Sequence, residues 1–311
     1  MPGKLLSIQH VSVQFRTGNG VVRAVDDAAL DVEEGQIAGL IGETGSGKSV
    51  LGLSIPRLLP SNAKVSGSIL FKGEQLTGLD DEAMRRLRGR EIAFIPQNPA
   101  TSLNPVLRVG YQIAEAVQGL VSPKARRAKA AELLRRMDMP EPEEKLRKYP
   151  FELSGGMKQR ILTAIGTAGT PSLLIADEPT KGLDALVRNQ VIGLLHRAAK
   201  QTGAGMIVIT HDLHVARALC DIIGVMYAGQ LVELGPASLV LGDPKHPYTQ
   251  GLLRSMPGAG MIPIPGSAPS LLEEQTGCSF YPRCTKRQAV CAVQKPPLQQ
   301  ADERTVRCIV S

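Results

Sequence analysis

The residues whose types and spacing most clearly carry chemistry are Gly42, Glu43, Thr44, Gly45, Ser46, Gly47, Lys48 and Ser49. They form a G-x-x-x-x-G-K-[ST] run directly after an apolar segment that ends at Ile41. Glycines in such a turn let consecutive backbone N–H groups converge on phosphate oxygens, and the positive end of the following helix adds to them. Lys48 would reach the β- and γ-phosphates of a nucleotide, and Ser49 would ligate Mg2+. A second run, Leu173 to Glu178, is an apolar strand ending in two carboxylates. Such a strand would carry Asp177 to the Mg2+ and Glu178 to the water that attacks the γ-phosphate. The plainer reading of Asp177-Glu178-Pro179-Thr180 is a helix-capping turn. Ser154, Gly155 and Gly156 head a helical stretch and could make a second anion site, or serve only as a cap.

A frame for these residues is legible in the apolar pattern. Gln36–Ile41, Leu173–Ala176, Met206–Thr210 and Ile222–Tyr227 read as buried parallel strands, and Ala185–Gln201 and Leu213–Cys220 between them are helical in period. That alternation implies an α/β, doubly wound sheet with ligands at the carboxyl ends of its strands. Asp80–Arg90 and Pro123–Met139 read as helices, so a helical insertion is expected between the first strand and the later ones. Pro257 to Ser270 has seven Pro or Gly in fourteen residues and reads as a linker.

Composition narrows the function classes. The chain has 311 residues, 43% of them hydrophobic and 21% charged, which excludes a wholly disordered chain. No run of 18 uncharged apolar residues occurs, so no transmembrane helix is expected, and the opening residues lack a secretory h-region, so a cytoplasmic location is expected. The formal charge is +7, yet aromatics are 3% with no Trp, which weighs against nucleic acid. Residues 276 to 311 carry six cations against two acids, a net +4, together with Cys278, Cys284, Cys291 and Cys308. In a reducing compartment such clustering points to metal or redox chemistry more than to disulfides. The spacing C-x5-C-x6-C-x16-C lacks the tight knuckle of structural zinc sites. Arg and Lys nearby are expected to lower the thiol pKa values. Cys220, among apolar neighbours, reads as a packed core thiol.

Leu153-Ser154-Gly155-Gly156-Met157-Lys158-Gln159-Arg160 resembles the LSGGQ-type signature of ABC ATPases, upstream of the Asp177–Glu178 strand as in that family. The resemblance implies an ABC-type P-loop ATPase domain, a RecA-like core plus a helical subdomain, with two ATP molecules sandwiched in a head-to-tail dimer. Position by position, it implies that Gln97 is the glutamine that touches Mg2+ and senses the membrane partner. Gly182-Leu183-Asp184 looks like the D-loop, His211 like the γ-phosphate-contacting switch histidine, and Phe15 like an adenine-stacking aromatic, a plain core Phe being the alternative. His214 has no such role by position and reads as a surface or core histidine.

Further segments are similar to importer ATPases for dipeptides, oligopeptides or nickel. They are Gln97 to Pro105, Tyr149 to Leu153, His246-Pro247-Tyr248-Thr249 with Leu252-Leu253, and Gly277 to Phe280 with Arg283-Cys284. Thr180-Lys181-Gly182-Leu183-Asp184 departs from the commoner TTALD. The resemblance implies an ATPase coupled to peptide uptake, with nickel import or a soluble ABC ATPase acting on nucleic acid or ribosomes as alternatives. It further implies ATP and Mg2+, a 4Fe-4S cluster on Cys278, Cys284, Cys291 and Cys308, with zinc or plain thiols as alternatives, and Ser49, Gln97 and Asp177 around Mg2+. Expected partners are a second ABC ATPase subunit, a paralogue with a second copy of this chain as the alternative, two integral membrane permease subunits and an extracytoplasmic substrate-binding protein. The expected location is the cytoplasmic face of the inner membrane. The expected division is an ATPase domain over 1–240 with its helical subdomain over about 95–160, a linker over 241–275 containing the HPY element, and a cysteine-bearing extension over 276–311.

Overall fold

Ile37-Ala38-Gly39-Leu40-Ile41 presents apolar or small residues on both faces, and all five are buried, as a strand covered on each side must be. It is one element of a computed structural model that describes residues 3–117, 119, 122–257 and 260–310. Gly258 and Ala259 of the Pro/Gly-rich segment lie outside the described residues. The chain folds as two compact units, one of residues 1–78 and 209–311, the other of residues 79–208.

The first unit opens with two long strands, β1 (Lys4–Thr17) and β2 (Gly20–Glu33), paired antiparallel. After β3 (Ile37–Ile41), the phosphate-loop residues lead into α1 (Lys48–Ser54). β4 (Ala63–Phe71) and the short β5 (Glu74–Gln75) complete an antiparallel sheet of order β2-β1-β4-β5.

In the second unit, α2 (Asp81–Leu87) is capped by Asp80, whose carboxylate accepts from Ala83 N–H. Between β6 (Ile92–Ile95) and β7 (Leu173–Asp177), a parallel pair, run the α-helices α3 (Pro99–Ser102), α4 (Val109–Ala116), α5 (Pro123–Arg136), α6 (Pro142–Lys145) and α7 (Gly155–Thr167). α8 (Ala185–Thr202) connects β7 to β8 (Gly205–Ile209), giving the order β8-β7-β6. Gly203 ends α8 in a left-handed C-cap, its N–H returning to Ala199 O.

The chain returns to the first unit through α9 (Leu213–Leu219) and β9 (Ile222–Tyr227), which lies parallel to β3. β10 (Gln230–Pro236), α10 (Ala237–Gly242) and α11 (Pro247–Arg254) follow. The last strands, β11 (Gln299–Ala301) and β12 (Arg304–Val306), extend this sheet in the order β11-β12-β10-β9-β3. The cysteine-bearing tail is therefore woven into the first unit.

The described residues of the Pro/Gly-rich segment form no helix or strand, yet they are bonded to the first unit. Ile262 N–H donates to Arg254 O, and Arg283 donates to the carbonyls of Ile264 and Pro265. The buried Arg283 guanidinium thus collects two of the segment's carbonyls and straps it against the rest of the first unit. Among the described residues no helix is long and apolar enough to cross a membrane.

Candidate functional site

The phosphate loop is shaped by close backbone approach. Gly47, at φ +100°, is where α1 begins, and a Cβ there would run into the Ala24 carbonyl oxygen. Gly42, at φ +146°, lies equally close to the Met226 carbonyl, so neither site accepts a side chain. Gly229 N–H donates to Ser46 O at 3.0 Å and ties the loop to the β9–β10 turn. Lys48 is buried, and its Nζ donates to Gly42 O (2.9 Å), Glu43 O (2.8 Å) and Ser46 Oγ (3.2 Å), so the ammonium is held among the loop's own oxygens. Glu43 N–H donates to the Tyr248 hydroxyl at 2.9 Å. Thr210 N–H donates to Leu40 O at 3.0 Å, which sets His211, exposed, two residues past the end of β8. His214 is exposed on α9. Phe15 is half-buried on β1 opposite Val22 and Ala63, outside the core.

In the second unit, β7 is buried throughout and ends at Asp177; Asp177 and Glu178 are 5% and 8% exposed. Glu178 sits at φ +46°, a strained conformation for a non-glycine residue and one concentrated at functional positions. The helix that follows is capped by Asp184, whose carboxylate accepts from Val187 N–H at 3.0 Å. The capping reading of Asp177-Glu178 therefore does not hold, because the cap lies six residues on. Ser154 caps α7, accepting from Met157 N–H at 3.3 Å, with Ser154 and Gly155 exposed. A Cβ on Gly156 would stand 2.6 Å from Val187 Cγ1, and one on Gly155 3.9 Å from Leu183 Cδ2. The two turns at Ser154 and Asp184 thus pack on each other, and at Gly156 the approach leaves no room for a side chain unless Val187 gives way. Gln97 is half-buried two residues after β6, and Asn98 beside it caps α3 by accepting from Ala100 N–H.

The tail brings Cys278, Cys284, Cys291 and Cys308 to one cavity of about 10 Å3, lined also by His246 and Phe280. Cys278 N–H donates to Cys291 O at 2.8 Å, which closes this loop on itself. All four thiols are free, a thiolate donor set of the kind iron–sulfur clusters use. Among the described residues, however, no group of three or more His, Cys, Asp or Glu is arranged to hold a metal ion. Burial pushes the Cys278 and Cys284 thiols up, contrary to the lowering expected from nearby cations. Arg283, the cation nearest in sequence to Cys284, is committed elsewhere, to the Glu43 carboxylate. His246 is wholly buried; burial drives its pKa down to about 3, and its Nδ1 accepts from Tyr248 N–H at 3.0 Å. Burial likewise pushes Cys220 up to about 12, and a Cβ on Gly39 would come within 2.7 Å of its sulfur.

Sequence reasoning missed Tyr248 and Arg283 as neighbours of the phosphate loop. Their positions 205 and 240 residues downstream of Glu43 leave no local signal, and only the HPY and Arg-Cys words mark them.

The profile of the family described as ABC transporter matches residues 25–181, and that described as oligopeptide/dipeptide transporter, C-terminal region, matches residues 232–291. Dipeptide transport ATP-binding protein DppD of Bacillus subtilis is 42% identical over 98% of this chain and 94% of its own length. A putative peptide import ATP-binding protein of Brucella abortus is 42% identical with the same coverages. Oligopeptide transport ATP-binding protein OppD of Mycobacterium tuberculosis is 42% identical over 98% of this chain and 52% of its own length. Among solved structures, a dimeric ATP-binding cassette bound to ADP and Pi superposes with a TM-score of 0.67 at 26% identity, covering 75% of this chain and 98% of that one. The cbiO1 subunit of a Clostridium perfringens ABC transporter superposes at 0.65 with 26% identity, covering 77% and 91%.

Proposed function

From the premise that this chain belongs to the ABC transporter family, in its oligopeptide/dipeptide branch, we propose that it is the ATP-hydrolysing subunit of a peptide importer. The observation that carries the reading is the pairing of a side-chain-excluding phosphate loop with a C-terminal region of the peptide-transporter type bonded to that loop.

In this reading Lys48 and the N–H groups of Gly45 to Ser49 bind the ATP phosphates. Ser49, Gln97 and Asp177 would hold Mg2+, which would offset phosphate charge. Glu178 orients and deprotonates the attacking water, and His211 contacts the γ-phosphate. Glu178 suits that task because it directly follows the buried β7, at a backbone conformation concentrated at functional positions. Phe15, half-buried, stacks on the adenine. Ser154, Gly155 and Gly156 present an exposed helix N-terminus, to which the γ-phosphate of a partner subunit's ATP would dock, with Asp184 on the same face. The partner is a second ABC ATPase, and two permeases and an extracytoplasmic binding protein complete the importer. The subunit works at the cytoplasmic face of the membrane.

Cys278, Cys284, Cys291 and Cys308 would be the ligands of a 4Fe-4S cluster; four thiols lining one cavity favour this reading, although as placed the described residues are not arranged to hold a metal ion. The cluster would cross-link the tail. Anaerobically prepared protein should then contain iron and absorb broadly in the visible, and Cys291→Ser should lose both. Zinc without iron would overturn this reading.

Uptake of a labelled dipeptide, with nickel uptake in parallel, is the test of cargo in cells whose sole copy is wild type or Glu178→Gln. Peptide uptake should be lost and nickel uptake retained, with purified Glu178→Gln still binding ATP. Peptide uptake at the wild-type level would overturn the assignment.

A further inference from the structure

Glu43 places a carboxylate in the second position of a loop whose task is to gather phosphate. A free carboxylate there would repel the ligand. Two groups far along the chain deal with it. Arg283, its side chain 6% exposed, grips the carboxylate with both arms, Nη1 to Oε2 at 2.9 Å and Nη2 to Oε1 at 3.0 Å. The guanidinium also donates to Pro265 O (2.9 Å), Ile264 O (3.3 Å) and the Tyr227 hydroxyl (3.4 Å), so its five N–H donors meet five acceptors. Its carbon lies 5.7 Å from the centre of the Tyr227 ring. A fork held this way cannot swing away from Glu43 without leaving buried donors unmet.

Tyr248 acts on the same residue from its main chain. It is fully buried, with its ring 4.6 Å from Tyr227 and 5.5 Å from Phe280, and its hydroxyl accepts the Glu43 N–H. That N–H is thereby turned to the tail, while the Glu43 carbonyl receives Lys48 Nζ. One residue thus carries three restraints: its carboxylate on Arg283, its N–H on Tyr248, and its carbonyl on the lysine that answers phosphate.

We propose that Arg283 and Tyr248 are positioning residues of the phosphate loop, which neutralise and orient Glu43 so that the C-terminal segment sets nucleotide affinity. The proposal rests on the ATPase reading above. Neither residue is assigned to touch nucleotide; both act through Glu43.

The test uses the full chain and a fluorescent ATP analogue with Mg2+, alongside the ADP analogue. Arg283→Met frees the carboxylate and should weaken ATP binding at least tenfold, and ADP binding less, because repulsion grows with phosphate charge. Adding Glu43→Gln should return ATP affinity to within about threefold of wild type, since the charge needing neutralisation is gone. Tyr248→Phe, which keeps the ring, should weaken ATP about fivefold, as for one lost hydrogen bond. Should Arg283→Met fail to fold, Arg283→Lys keeps the charge without the fork and should give an intermediate loss. Wild-type affinity in Arg283→Met and Tyr248→Phe, or a loss in Arg283→Met equal for ATP and ADP and unrelieved by Glu43→Gln, overturns the proposal. Hydrogen–deuterium exchange over Gly42–Ser49 without nucleotide should be faster in both single variants, and unchanged exchange overturns it too. A wild-type chain that binds no ATP would defeat the ATPase reading, while the exchange measurement still decides the brace.

Discussion

Replacing Gly47 by alanine isolates what the close approach in the phosphate loop is worth. Gly47 sits at φ +100° with a would-be Cβ overlapping the Ala24 carbonyl oxygen and 3.4 Å from Gly229 Cα. Both neighbours are main chain, and Asp26 N–H to Gly229 O at 2.8 Å ties their segments together, so no side chain can rotate to make room. The positive φ costs an alanine about 1–2 kcal/mol, and the overlap adds about 1–3 kcal/mol, as overpacking of a rigid interior does. Gly45 supplies the comparison: it has φ +82° and nothing within 4 Å of its would-be Cβ, so Gly45→Ala meets only the backbone cost. The strain in Gly47→Ala can be released by shifting the loop, which weakens nucleotide, or retained, which lowers stability. Urea unfolding and the dissociation constant of a fluorescent ATP analogue should therefore both be measured. The summed loss should exceed that of Gly45→Ala by about 1–3 kcal/mol, or roughly 5- to 150-fold. Equal losses in the two variants would refute the argument that backbone approach, rather than φ alone, demands glycine at position 47.

The packing of the Ser154 turn on the Asp184 turn makes a coupled prediction. Gly156→Ala should destabilise the chain by about 1–3 kcal/mol against the stiff, β-branched Val187, and Val187→Ala should recover most of it in a urea double-mutant cycle; strict additivity would refute the contact. Cys220, pushed up to about 12 by burial, should remain unalkylated by iodoacetamide at pH 8 in the native chain when peptides are mapped by mass spectrometry. Labelling at the rate of an exposed thiol would refute that burial.

What the sequence disclosed follows from where each element's signal lies. β3, β7, β8 and β9 are buried on both faces, so they read as uninterrupted apolar runs and were found to within a residue or two. β1, β2 and β4 show no such run because polar residues interrupt them, and in β1 bulges at Ile8/Val11 and Gln9/Ser12 also break the two-residue period. At the site, Ser154 can be a cap, an anion ligand or both, and the hydrogen bond from Met157 N–H makes the capping role real in any case. The cations near the thiols misled, because sequence proximity does not say which carboxylate an arginine faces. Arg283 faces Glu43, and no window of sequence contains both.

The ion pair between Glu43 and Arg283 spans 240 residues of chain. During synthesis at about 5–20 residues per second, that separation is roughly 10–50 s. Throughout that interval the nascent loop can bend into its turn, but its carboxylate lacks the guanidinium that answers it. The loop found near the start of the chain is thus among the last parts of the first unit to be finished. A ribosome stalled anywhere before residue 283 leaves a chain with its phosphate-loop sequence intact and the loop unbraced, which couples readiness for nucleotide to near-complete translation.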